Sequence, residues 1–68
     1  MQTNVLKGRM RERGLTQADI AKALGLSLSR LNAKLNETSG AEFSVGEATE
    51  IRKILDLSND QCVAIFLE

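Results

Sequence analysis

Apolar side chains recur at helical spacing in five stretches of the chain, separated by residues typical of caps and turns. Three of these stretches open with serine or threonine followed three residues later by an acidic or amide side chain, which is the pattern of a capping box. The pattern therefore predicts an all-α fold. The predicted helices cover about residues 3–13, 17–24, 28–36, 45–56 and 59–67.

Residues 16–36 predict two short helices joined by a tight turn at Gly25, because glycine adopts the left-handed conformation at a helix end without a Cβ penalty. Helices this short are unstable alone, so they must pack across the turn as a helix-turn-helix. Thr16, with Asp19, and Ser27 are the predicted N-caps. The predicted inward residues are Ile20, Ala21 and Leu24 on the first helix and Leu28, Leu31 and Leu35 on the second.

The second of these helices has a small, polar outward face. Setting Leu31 inward and stepping about 100° per residue places Asn32 and Lys34 on the flanks. A face of this kind can enter a major groove without steric obstruction. The outward residues are Ser29, Arg30, Ala33 and Asn36.

The segments TQADIAKALG and LSLSRLNAKLN resemble the helix-turn-helix of phage Cro and repressor proteins. The resemblance covers nearly the whole chain and implies one domain over residues 1–68. The implied fold is a compact five-helix lambda-repressor-like bundle, with the helix-turn-helix at about residues 17–36. An αα-hairpin in an unrelated bundle is the alternative. The matching residues are Thr16, Gln17, Ala21, Gly25, Ser27, Leu31, Leu35 and Asn36.

The resemblance implies a sequence-specific regulator that binds double-stranded DNA through residues 28–36. Arg30 suits guanine or a phosphate, Asn32 suits adenine, and Ala33 suits a thymine methyl. Relatives commonly carry glutamine at the positions of Leu28 and Ala33, so this chain has fewer base-reading side chains. The predicted base contacts are Ser29, Arg30, Asn32 and Ala33, and the predicted backbone contacts are Gln17, Ser27, Lys34, Asn36 and Thr38.

The segment after this helix, residues 37–43, has turn residues and no periodicity, so we expect a loop. In relatives the corresponding loop follows the phosphate backbone. Glu37 and Glu42 repel phosphate and depart from that pattern, whereas Thr38 remains a possible donor. Phe43 is the expected anchor that returns the chain to the core.

Charge is divided unevenly along the chain although the formal net charge is zero. Residues 1–36 hold seven cationic and two acidic side chains, whereas residues 37–68 hold two cationic and seven acidic ones. A protein with one DNA-facing side needs such an asymmetry. The alternative is that both halves are ordinary solvated surface. Arg9, Arg11 and Arg13 are likewise either ordinary solvated surface or part of a DNA-facing side. Arg11 or Arg13 could contact a phosphate weakly.

The first helix is expected to begin at a Thr3 cap and end at Gly14. Gly8, inside it, predicts a close contact with another helix, because glycine otherwise destabilises a helix by up to ~1 kcal/mol. Its predicted inward residues are Val5, Leu6 and Met10, and those of the fourth helix are Val45, Ala48, Ile51, Ile54 and Leu55.

The last helix carries more apolar residues than one narrow stripe can bury, between Cys62 and Leu67. Either some stay exposed and mark a partner surface, or the terminal turn folds over the core. Because one helix-turn-helix reads few base pairs, we expect a homodimer on a palindromic operator. The dimer is either stable in solution, or weak or induced by DNA. The predicted dimer contacts are Val63, Phe66 and Leu67.

Chemistry beyond binding has few candidates, because the chain has no histidine, tyrosine or tryptophan. Cys62, the single cysteine, is interpreted as a small apolar residue, with a reactive thiol as the alternative. One cysteine cannot build a metal site. We expect no enzymatic activity, no cofactor and no small-molecule substrate. No apolar run approaches the ~20 residues of a membrane span and no signal peptide is visible, so we expect a cytoplasmic protein.

In a second hypothesis the chain has the same fold but binds a protein instead of DNA. Zero net charge, an acidic second half and an apolar carboxyl end also suit a protein-interaction module, an antirepressor or modulator acting on a partner repressor. Salt dependence separates the two, because DNA affinity falls steeply with salt.

Overall fold

A computed structural model describes the backbone of residues 1–67 and, except at Ser39, their side chains; Glu68, counted above in the acidic half, lies outside them. Over this range the chain forms five α-helices within 27 × 24 × 20 Å, which confirms the all-α prediction. None of these helices has the length and apolar character that a bilayer crossing needs. The helices are α1 (Thr3–Glu12), α2 (Gln17–Leu24), α3 (Leu28–Asn36), α4 (Val45–Leu55) and α5 (Asn59–Phe66), and a 3-10 turn (Thr38–Gly40) joins α3 to α4.

Every helix contributes to one aliphatic core. Leu15 packs against its edge, and Phe43 does so as predicted. Phe43 also meets Phe66 edge to face, with ring centroids 6.0 Å apart. This contact closes the loop after α3 onto the last turn of α5. The buried residues are Leu6, Met10, Ile20, Ala21, Leu31, Leu35, Ile51, Leu55, Leu57 and Ile65.

Three residues predicted to face inward are exposed instead, namely Val5 (44%), Leu28 (47%) and Val45 (85%). Each lies in the first turn of its helix. Periodicity sets the angle of a side chain around the helix axis, but it does not say how far the core extends along that axis. The predictions for these residues are wrong because the helices begin beyond the edge of the core.

The expected cap and contact of α1 are also wrong. Gln2 is the N-cap residue and provides no side-chain cap, whereas the Thr3 hydroxyl donates to the Leu35 carbonyl at 2.8 Å. That carbonyl lies in the last turn of α3, where helices leave acceptors unpaired. A Cβ at Gly8 would meet nothing within 4 Å, so no helix approaches closely there.

Candidate nucleic-acid interface

The turn between α2 and α3 is fixed by hydrogen bonds at both ends. Thr16 Oγ1 accepts from the Asp19 amide at 3.2 Å, and Asp19 Oδ2 accepts from the Thr16 amide at 2.8 Å. Gly25 ends α2 with φ 70°, and Ser27 Oγ accepts from the Arg30 amide at 3.1 Å. The predicted caps are therefore confirmed. The amide of Thr16, followed by its hydroxyl, also lowers the pKa of Asp19.

The outer side of α3 is open to solvent. Leu31 and Leu35 are buried and hold the opposite side of the helix against the core. Arg30 has no ion-pair partner within residues 1–67, so its guanidinium is available to a ligand. Of the four predicted base-contacting residues, Ser29 and Arg30 are exposed, and Asn32 and Ala33 are partly exposed.

Lys34 is held by a carboxylate. Its Nζ lies 2.6 Å from Glu47 Oε1, and the two side chains are only 12% and 18% exposed. Glu47 also accepts from the Ser44 amide at 2.9 Å in the capping box of α4. The bond from Lys34, followed by the bond from Ser44, lowers the pKa of Glu47. A phosphate contact by Lys34 stays a prediction, and it requires the ammonium to leave Glu47.

Gln17 lies beside two cations of α1. It is the first residue of α2 and lines a shallow cleft with Lys7 and Arg11. Neither cation is in an ion pair within the described range. The i, i+4 spacing of Lys7 and Arg11 was the available signal that they share a face, but their position beside Gln17 depends on how α1 packs on α2.

Arg9 of α1 and Arg13, which directly follows the helix, are already in ion pairs. Arg9 pairs with Glu12 at 3.3 Å, and Arg13 reaches Asp56 at 3.5 Å. Among these three arginines, Arg11 is the one outside an ion pair in the part of the chain that the structure describes.

The remaining predicted backbone contacts lie at the two ends of α3. Ser27 caps its start, Asn36 is its last residue, and Thr38 opens the 3-10 turn beyond it. All three are exposed. Glu37 lies between Asn36 and Thr38, exposed and with φ 54°. Its carboxylate pairs with the Met1 amine at 3.2 Å, so the acidic group at this end of the surface is partly neutralised.

An apolar surface lies between α4 and α5. Two of the predicted dimer residues are exposed here, Val63 (48%) and Leu67 (79%), whereas Phe66 is partly buried against Phe43. Of the two alternatives for the end of the chain, the structure shows the one in which some of its apolar residues stay exposed. Val45 joins this surface, although periodicity placed it in the core.

No protein-family model, curated protein sequence or solved structure matches this chain. What the geometry defines is a class: a small all-α protein in which two capped helices, joined at Gly25, hold a polar helix side open to solvent.

Proposed function

We propose that this chain is a sequence-specific, double-stranded DNA-binding transcriptional regulator of the phage repressor or Cro type. In this proposal the fold is the lambda-repressor-like bundle, α2 and α3 are its helix-turn-helix, and α3 enters the major groove. The observation that carries the proposal is the unobstructed outer side of α3 around Ser29 and Arg30, supported from behind by buried Leu31 and Leu35.

Base reading is assigned to four side chains of α3. Arg30 donates to guanine or to a phosphate, and Asn32 pairs with adenine through its amide. Ala33 meets a thymine methyl, and Ser29 donates or accepts at a neighbouring base edge.

Phosphate binding is assigned to the ends of the two helices. Gln17 contacts a phosphate at the amino end of α2, and the neighbouring Lys7 and Arg11 supply positive charge there. The exposed ends of α3 supply uncharged donors, and Lys34 joins them only when a phosphate replaces Glu47. The remaining backbone contacts in this proposal are Ser27, Asn36 and Thr38.

The test is selection of duplexes from a random pool at two salt concentrations, followed by affinity measurements on the enriched sequence. Arg30→Ala and Asn32→Ala should each weaken specific binding by about 1–3 kcal/mol, because each removes a base contact. Lys53→Ala is the matched control, since it removes an exposed cation of α4 outside the proposed surface. The log of the binding constant should fall by about 0.9 per neutralised phosphate as log salt rises.

The selected sequences also report symmetry. An enriched palindrome, with half-sites one helical turn or ~34 Å apart, is expected for the homodimer. No enriched sequence at either salt concentration would refute DNA reading.

A second function is favoured by one observation. The exposed apolar surface between α4 and α5 lies beside the exposed carboxylate of Glu42, which suits a protein partner. In this alternative the chain is an antirepressor or modulator that binds a partner repressor. It replaces the first if Arg30→Ala and Asn32→Ala bind duplex as well as the parent while the partner repressor is still captured.

A further inference from the structure

The exposed apolar residues between α4 and α5 form a continuous groove. Ala48 and Phe66 are partly buried and make its floor. Val45, Val63 and Leu67 stand along it with 85%, 48% and 79% of their surface exposed. Apolar side chains exposed this far on so small a protein indicate that another surface covers them.

The two ends of this α4/α5 groove carry opposite charges once the ion pairs are set aside. At the first end Glu37 is paired with the Met1 amine and Lys34 with Glu47, which leaves the charge of Glu42. Glu42 lies at the end next to the start of α4, and Arg52 lies at the other end beside Cys62. Val45 and Arg52 are seven residues apart on α4, which is about 10 Å along the helix axis. Neither Glu42 nor Arg52 is in an ion pair within residues 1–67.

We propose that a second copy of this chain covers the α4/α5 groove, with a two-fold axis passing over its middle. A two-fold axis that crosses the groove at right angles to its length brings each end of the groove against the opposite end of the partner's groove. Glu42 of each copy therefore meets Arg52 of the other, while Val45 and Leu67 pack against apolar residues between the two ion pairs. The groove carries both charges needed to pair with itself, and this favours a second copy over an unrelated protein.

This inference rests on the proposed function for its biological role, because a dimer is what a palindromic operator requires. It goes further by placing α4 in the interface and by fixing the relative direction of the two copies. On a protein 27 × 24 × 20 Å in size one groove buries little surface, so the dimer is weak and concentration-dependent.

The experiment is sedimentation of the full chain without DNA, over a range of concentrations. Glu42→Lys and Arg52→Glu each place like charges at both ends of the interface, so each should raise the dimer dissociation constant about two- to thirtyfold. An equimolar mixture of the two variants should restore association, because the heterodimer has an attractive pair at each end. Glu50→Lys and Lys53→Glu make the same reversals outside the groove on the same helix, and they should change nothing.

Val45→Asp provides a second test that does not depend on exposed ion pairs. Val45 is the first residue of α4, where an acidic side chain is favourable for the helix, so the variant should fold. Val45 lies near the Glu42 end of the groove, and a carboxylate buried there in place of an apolar side chain should weaken association. Removing α5 is unsuitable as a test, because Ile65 is fully buried in the core.

A parent chain that stays monomeric at high concentration overturns the inference. So does an equimolar mixture of Glu42→Lys and Arg52→Glu that does not regain association. If the parent chain is monomeric and binds a different protein, and Val45→Asp loses that binding, the groove is the site for that protein. This result also overturns the inference. Failure here is distinguishable from failure of DNA binding: a monomer that still selects a half-site keeps the proposed function, and a dimer that selects no sequence keeps only this interface.

Discussion

Single residues of this protein are distinguished first by backbone conformation. Gly25 has φ 70° at the end of α2, a conformation that costs a residue with a Cβ free energy even though the space around it is open. Gly8 lies inside α1 with ordinary helical geometry and nothing within 4 Å of an added Cβ. The same substitution therefore has opposite consequences at the two positions.

We predict that Gly25→Ala lowers the free energy of unfolding by about 1–2 kcal/mol, because alanine must adopt the left-handed conformation. Gly8→Ala should raise it by up to ~1 kcal/mol, because alanine has the higher helix propensity. Urea unfolding monitored by circular dichroism measures both. A stabilised Gly25→Ala variant would contradict the assigned turn.

Between elements, Glu47 connects the helix proposed to read DNA with the helix proposed to form the dimer. One carboxylate accepts from Lys34 of α3 and from the Ser44 amide that precedes α4. Because the pair is largely shielded from water, its geometry fixes the carboxyl end of α3 against the start of α4.

We predict that stability falls in acid through this carboxylate. The pKa of Glu47 is lowered from its ordinary value of 4.5 in the folded chain, so its contribution is fully present above that pH. It is lost as pH falls from there through the lowered pKa. Asp19, whose pKa is also lowered, adds a loss below its ordinary value of 3.8. Urea unfolding at a series of pH values measures the decline.

Glu47→Gln should cost about 1 kcal/mol at neutral pH and show a shallower decline below pH 4.5. Glutamine preserves the capping box, so this variant removes only the charged pair. Glu50→Gln is the control, an exposed carboxylate of the same helix, and should follow the parent. If Glu47→Gln loses as much stability in acid as the parent chain does, groups other than Glu47 cause that loss.

At the scale of the whole molecule, stability rests on a small aliphatic core. Only ten hydrophobic residues are buried in the part of the chain that the structure describes. Such a core gives a free energy of unfolding of roughly 3–5 kcal/mol. The cost of one large cavity is therefore most of that free energy. Binding of DNA or of a second copy would add stability by mass action.

We predict that Leu31→Ala leaves the isolated chain largely unfolded, since deleting a buried leucine costs about 2–5 kcal/mol. Leu28→Ala is the matched control on the same helix. Because Leu28 is 47% exposed, its loss should cost no more than about 1 kcal/mol. Circular dichroism of both variants at neutral pH checks this, and an equally severe loss in Leu28→Ala would mean that α3 packs differently.

Features that depend on neighbours three or four residues apart could be predicted from the sequence alone. The Thr16–Asp19 and Ser58–Gln61 capping boxes and the left-handed turn at Gly25 are local hydrogen bonds and local dihedral angles, and all are present as predicted. Helix type and approximate bounds follow from the same short-range pattern.

Where the core ends along each helix, and which distant side chains meet, depends on how the helices pack together. Periodicity fixes an angle around a helix but no position along it, so Leu28 and Val45 could be placed only once the helices were packed. The Lys34–Glu47 pair, the cleft beside Gln17 and the α4/α5 groove each join residues on different helices. Such contacts depend on how whole helices are oriented, which no short stretch of sequence encodes.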